Sequence, residues 1–292
     1  MSRDKTRVEN SEEKQAMQSR SAEAEIRAGE RFAFGANWRR FLRNVDEQTI
    51  EEARVGLMSL LPMANLQGRR FLDAGCGSGL SSLAAHREGA EVLSFDFDQE
   101  SVACSRLLRA RFAPDPESWQ IESGSVLDDE FLHDLGEFDV VYSWGVLHHT
   151  GQMWRAIDSV KELVGSEGYL YIALYNDQSG LSRYWHWVKR TYNRGLLFRW
   201  LMTLVHLPYL ILGPLIVRTL TGRLRLRRGM SLWWGMRDWL GGLPFEVASP
   251  SEVTKFLKAR EFKLIASSTV GRRHGCNEFV FQRQRQASTD VA

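Results

Sequence analysis

The chain has 292 residues, 43% of them hydrophobic and 25% charged, an ordinary globular composition that argues against disorder and against an integral membrane protein. A formal net charge of +2 leaves no broad basic footprint for nucleic acid, so no nucleic-acid partner is expected. Cys76, Cys104 and Cys276 are odd in number, widely spaced and without a CxxC pair, so nothing points to zinc or dithiol chemistry, no metal site is expected, and a reducing, cytoplasmic setting fits them.

Residues 1–27 are polar and charged without an apolar run, and read as a flexible lead-in that is not a signal peptide. Residues 28–66 read as an N-terminal helical lid. Phe32, Phe34 and Trp38 are placed there to close over a ligand, and Ile50, Ala53, Leu57, Leu60 and Leu61 recur at helical spacing up to Pro62. Strand signals at 70–74 and 91–96 then alternate with helical ones at 80–87, ended by Gly89, and at 99–112, capped by Asp98. The rhythm continues through strands at 119–121, 138–143 and 169–174 and a helix at 152–164. Such alternation predicts an α/β fold, a mostly parallel sheet with helices on both faces. After residue 247, a helix at 251–259 and strands at 263–269 and 278–282, joined through Gly271 and Gly275, predict a closing antiparallel hairpin. The core is thus expected over 67–176 and 248–284, with a tail at 285–292.

Residues 177–247 are too long for a connection in an α/β domain and read as an inserted helical cap. The stretch 196–217 is apolar, but Arg199, His206, Pro208 and Pro214 interrupt it, which argues against a membrane span. Two readings stay open. One is a buried cap or dimer helix pair, which would offer an oligomer contact. The other is a segment resting on lipid through 196–228, with Arg218, Arg223, Arg225, Arg227 and Arg228 toward anionic headgroups. Trp185, Trp187, Trp200, Trp233, Trp234 and Trp239 either wall off an acceptor or pack the cap; Trp234 is grouped with Phe34, Trp38 and Asn176 as acceptor-binding.

The run Phe71-Leu72-Asp73-Ala74-Gly75-Cys76-Gly77-Ser78-Gly79 sets a glycine turn between a strand and a helix. Glycine removes the Cβ that blocks close backbone approach, and the first amides of a helix are open to a ligand. The second strand ends in Asp96, where a carboxylate can accept from both ribose hydroxyls of a nucleoside lying across the strand ends. A dinucleotide fingerprint would need glycine at position 80, where Leu80 stands, and no Gly-Lys-Ser/Thr completes a phosphate loop.

The string Asp73-x-Gly75-x-Gly77-x-Gly79, the acid Asp96, the turn Gly124-Ser125-Val126 and the strand Phe138-Asp139-Val140-Val141 resemble the successive motifs of class I, Rossmann-like, S-adenosylmethionine-dependent methyltransferases. The resemblance covers about residues 67–176 and resumes from 247. It implies a seven-stranded, mostly parallel sheet with an antiparallel last strand and a cap inserted after strand five. S-adenosyl-L-methionine is the implied cofactor: Asp73 and the loop glycines hold its methionine part, Asp96 the ribose, Phe97 an adenine face, and Ser125 and Val126 the adenine edge. Trp144, after strand four, either packs beside the cofactor or belongs to the core. The family more often has Asp where Ser125 stands. The stretches Phe34-Gly35-Ala36-Asn37-Trp38 and Asp238-Trp239-Leu240-Gly241-Gly242 look like those of bacterial quinone-type and small-molecule methylases.

A sulfonium methyl is already electrophilic, so transfer mainly needs a positioned acceptor and exclusion of water. His148 and His149 after strand four are the candidate bases, and Tyr175 and Asn176 after strand five could orient an acceptor. The expected function is methyl transfer to an O, S or N atom of a small, partly apolar acceptor, giving S-adenosylhomocysteine. A non-catalytic cofactor-binding partner or sensor is the rival. The Asn/Asp-Pro-Pro-Tyr loop of amino-methylating nucleic-acid enzymes is replaced by Ser143-Trp144-Gly145-Val146.

Overall fold

Seven strands form one sheet in the order β3-β2-β1-β4-β5-β7-β6 in a computed structural model of the chain, which describes residues 34–113, 115–221 and 232–285 together with Ala24, Glu25, Ala28 and Phe32. The lead-in and the tail fall almost wholly outside the described residues. The strands are β1 (Arg70–Ala74), β2 (Glu91–Asp96), β3 (Trp119–Ser123), β4 (Phe138–Trp144), β5 (Val164–Tyr175), β6 (Phe262–Ser268) and β7 (Cys276–Arg283). The pairs β1–β2, β1–β4, β2–β3 and β4–β5 are parallel, while β7 runs antiparallel to β5 and to β6. The expected Rossmann-like α/β sheet with its closing hairpin is therefore what forms.

The near-continuous apolar character of the central strands follows from burial on both faces. On one face Leu72, Val141, Leu170 and Phe281 pack with helix α6 (Met153–Lys161) and helix α11 (Pro250–Lys258). On the other, Phe71, Val140, Tyr142 and Val280 pack with α2 (Glu47–Met58) and α3 (Leu80–Arg87). Helix starts are fixed by local chemistry. Asp98 accepts from the Glu100 amide at the head of α4 (Gln99–Phe112), Glu246 accepts from the Met153 amide at the head of α6, and Ser249 with Glu252 forms a capping box on α11. Two helices not anticipated from periodicity also appear, α1 (Phe34–Phe41) in the lid segment and α5 (Asp129–Leu135) before β4.

Between β5 and α11 come α7 (Gly180–Tyr192), α8 (Leu196–Leu207), a π-helical turn (Pro208–Leu212), α9 (Gly213–Thr221) and α10 (Leu232–Gly241). They share a small core of Trp185, Val188, Tyr192, Met202, Met236 and Leu240. The sequence expectation is corrected here. Pro208 and Pro214 do not break the apolar run, because Pro208 begins the wider π turn, and the segment from Leu196 to Ile216 is helical throughout. By length and composition it is long enough and apolar enough to cross a membrane. Nor is it a buried cap helix: only Met202 and His206 of α8 are buried, and its other side is open. The arginines Arg223, Arg225, Arg227 and Arg228 and the side chain of Arg218 lie outside the described residues.

Candidate active site

The turn from β1 into α3 forms the floor of the site. Gly75 and Gly77 adopt positive φ of 86° and 54°, and the amides of Gly75 and Cys76 donate to the Phe95 carbonyl at 2.8 and 3.0 Å, tying the turn to β2. A side chain on Gly75 would overlap Val146 from the loop after β4, and one on Gly77 would come within 2.9 Å of the Trp38 indole nitrogen. These two positions need glycine both for conformation and for room. Asp96 spans the mouth of the turn, its carboxylate accepting from the Gly77 amide and from the Asp98 amide, each at 2.9 Å. Below lies Asp73, whose buried carboxyl accepts from Ser82 Oγ at 2.6 Å. Burial pushes Asp73 up to about 7; Ser82 opposes this, and the charge of Asp96 adds to it.

Above this floor opens a cleft of about 710 Å³, within the range of small-molecule sites. Phe97, Ser125 and Val126 line it together with Trp144, His148, His149 and Tyr175. Ser125 Oγ accepts from the Leu127 amide at 3.1 Å, so this hydroxyl also holds its own turn. The roof is built from two distant pieces of chain. The Gly35 amide donates to Asp98 at 2.9 Å, Asn37 donates to the Asp238 carboxylate of α10, and the Phe32 amide donates to the Leu243 carbonyl at 3.1 Å. Phe34 packs 5.0 Å from the His149 ring, and Trp38 covers Gly77. The Phe-Gly-x-Asn-Trp and Asp-Trp-Leu-Gly-Gly stretches thus meet over the cleft.

Two histidines stand at its far end in different states. The Pro244 carbonyl accepts from His149 Nδ1 at 2.6 Å, which keeps the proton on Nδ1 and the lone pair on Nε2. His148 is fully buried with no hydrogen-bond partner of normal geometry at either ring nitrogen. Burial, then the neighbouring His149 and Lys189, hold its pKa well below the usual value, with the Ala173 carbonyl opposing them. It is therefore a neutral, weakly basic ring, its centre 3.9 Å from that of Tyr175 and its plane tilted by 39°. Burial raises the Tyr175 hydroxyl well above its usual range, so it stays a neutral phenol near pH 7. Of the three, His149 is the one with the tautomer of a base.

Two further positions depart from the sequence reading. Asn176 is not among the cleft residues, because its amide donates to the Gly271 and Arg273 carbonyls and accepts from Asn277, locking the ends of β5 and β7. Gly79 starts α3 at φ 80°, where a side chain would come within 2.8 Å of Ser105 Oγ; it serves helix packing. The Trp234 side chain lies outside the described residues. Trp239, one of the tryptophans expected either to wall off an acceptor or to pack the cap, lines the cleft, as do Asp238 and His274, which were not read as site residues; Lys189 lies behind the Tyr175 and Trp239 rings. Lys189 is buried, donates to the Trp239 carbonyl, and sits 4.7 Å from the Trp239 ring centre. Burial lowers Lys189 to about 7 against the pull of Asp238. It also raises Asp238 to about 7 against the Asn37 hydrogen bond and the charges of Arg237 and Lys189. Only the Asp238-Trp239 stretch carried a signal for them. Among the described residues, no cluster of His, Cys, Asp and Glu is arranged to hold a metal.

A nucleoside-binding α/β methyltransferase is the class that this sheet and glycine floor define. A family model described as a methyltransferase domain matches residues 45–266. The chain belongs to that family, whose members take their methyl group from S-adenosylmethionine. A ubiquinone biosynthesis O-methyltransferase of Pseudomonas aeruginosa is 29% identical over 120 residues, 39% of this chain and 47% of the relative. A tRNA U34 carboxymethyltransferase of Alcanivorax borkumensis is 34% identical over 104 residues, 36% of this chain and 30% of the relative. The chain spans about half the length, or less, of the curated relatives it matches. An O-methyltransferase family protein of Burkholderia thailandensis shares the fold, with a TM-score of 0.53 at 13% identity over 86% of this chain and 60% of that one.

Proposed function

We propose that the chain transfers a methyl group to an O, S or N atom of a small, partly apolar acceptor, leaving S-adenosylhomocysteine. The glycine floor carries this reading: two positions where a side chain would collide, flanked by a carboxylate on the neighbouring strand. These residues fit the donor. Gly75 and Gly77 would give it room, Asp73 would neutralise its ammonium, and Asp96 would accept from its ribose hydroxyls; all four line the cleft. Bound there, S-adenosylmethionine supplies an electrophilic methyl whose sulfur takes the bonding pair on transfer.

The chain's own part is to hold the acceptor, keep water out and accept a proton. Phe32, Phe34 and Trp239 line the cleft with Tyr175 and give it an apolar aromatic wall. His149 Nε2 takes the proton when the acceptor must lose one, and Tyr175 donates a hydrogen bond. The O-methyl transfer named for the Pseudomonas relative favours an oxygen acceptor as the first to test. The three cysteines are free thiols, in keeping with a cytoplasmic setting.

Incubation with methyl-labelled donor and a panel of phenols, quinols, thiols and amines should label at least one class. Asp96→Ala should weaken S-adenosylhomocysteine binding at least about tenfold by calorimetry, the equivalent of about 1.4 kcal/mol. His149→Ala should slow transfer to a protonated acceptor while leaving that binding intact. Unchanged affinity in Asp96→Ala would remove the ribose assignment. Tight binding with no transfer to any class would favour a non-catalytic sensor.

A further inference from the structure

Between β5 and α11 the chain presents an apolar surface that the site does not use. Along the helix from Leu196 to Ile216, Leu197 is 76% exposed, Trp200 72% and Leu204 68%, and Tyr209, Leu212 and Ile216 continue the same open side. Soluble monomers seldom leave so long an apolar stripe uncovered. The opposite side is anchored: Met202 and His206 are buried, and His206 Nε2 pairs with the Tyr184 hydroxyl at 2.8 Å. Between residues 196 and 217 only Arg199 and His206 can carry a positive charge, none of the residues is Asp, Glu or Lys, and His206 is on the packed side.

Charge on the surrounding segment is the second, independent observation. Residues 178–237 contain eleven Lys and Arg and no Asp or Glu, in a chain whose net charge is only +2. Arg183, Arg190 and Arg194 are exposed just before the apolar helix, close in sequence to exposed Tyr184 and Trp187. An apolar face edged by arginines and amphipathic aromatic rings is the pattern of an element lying in a membrane interface. A second copy of the chain would bring the same uncompensated positive charge against itself, which disfavours self-association.

We propose that the helix from Leu196 to Ile216 lies in the plane of a bilayer surface, its open side in the acyl region and the flanking arginines against anionic phospholipid headgroups. Since its other side is packed on α7, it enters the lipid from one side only. This placement is separate from the methyl-transfer reading and stands or falls by itself.

Flotation of the full chain with phosphatidylcholine vesicles, with and without phosphatidylglycerol, tests it. The chain is expected to float with the anionic vesicles and to bind neutral ones at least about tenfold less. The double variant Leu197→Glu with Leu204→Glu should lose flotation while keeping its thermal midpoint and its affinity for S-adenosylhomocysteine, since both side chains are exposed and outside the cleft. Absence of binding to anionic vesicles overturns the proposal, as does undiminished flotation of the variant. Equal binding to neutral vesicles overturns the anionic part. A stable lipid-free dimer that the same variant dissociates would assign the face to a second copy instead.

Discussion

Asp73 illustrates how one buried group links the floor of the cleft to pH. A free Asp titrates near 4, whereas burial holds Asp73 up to about 7. Between those values the folded chain carries a proton that the unfolded chain lacks, so this group's contribution to stability falls as pH rises through the window, with the larger loss complete above about 7. A ligand ammonium beside the carboxyl favours the ionised form, so binding below pH 7 must release a proton. Affinity for S-adenosylhomocysteine is therefore expected to rise from pH 6 to pH 8, approaching about tenfold per unit below the folded pKa. Calorimetry in buffers of different ionisation enthalpy should detect the released proton, and Asp73→Asn should abolish both effects. A slope that survives in Asp73→Asn would move the titration to Asp238 or Lys189, the other groups near 7. Most of these floor residues were legible in the sequence, because a glycine that must avoid a collision leaves a fixed spacing. Lys189 was not, since a lone lysine in a helix gives no sign that tertiary packing will bury it.

At the scale of elements, α1 and the turn from β1 into α3 make one device. The Trp38 indole rests against Gly77, where no side chain fits without displacing it. Gly77→Ala should weaken S-adenosylhomocysteine binding by at least about tenfold, through both the positive φ and the displaced indole. Trp38→Ala in that background should restore part of the loss, so the pair will show a coupling in a double-mutant cycle. Purely additive effects would mean that the indole and the turn act separately. The strand–helix alternation from β1 to β5 could be read from periodicity because each element buries a continuous apolar face. Helix α5 escaped that reading: it is seven residues long, and of these only Leu132 is buried. The helix from Leu196 to Ile216 was misjudged for a different reason. Pro208 has no amide proton to give the preceding turn, but the wider π turn that it begins makes room for its ring, so a residue that usually ends a helix is here accommodated within one.

Across the whole molecule, the cleft is closed by segments about two hundred residues apart, the Asn37–Asp238 hydrogen bond being the direct tie between α1 and α10. A ligand held between the sheet and this roof must stabilise the folded chain as a unit. At a hundredfold excess over its Kd, S-adenosylhomocysteine should add about 2.7 kcal/mol to the stability, visible as a thermal midpoint raised by several degrees. If α1 and α10 close on the ligand together, Asn37→Ala frees the roof, lowers the affinity and shrinks the rise at fixed ligand concentration. If the floor alone holds the ligand, the rise in Asn37→Ala will equal that of the native chain, and the roof serves only the acceptor. Thermal denaturation at matched ligand concentrations separates the two, because the floor residues Gly75, Gly77 and Asp96 are identical in both proteins.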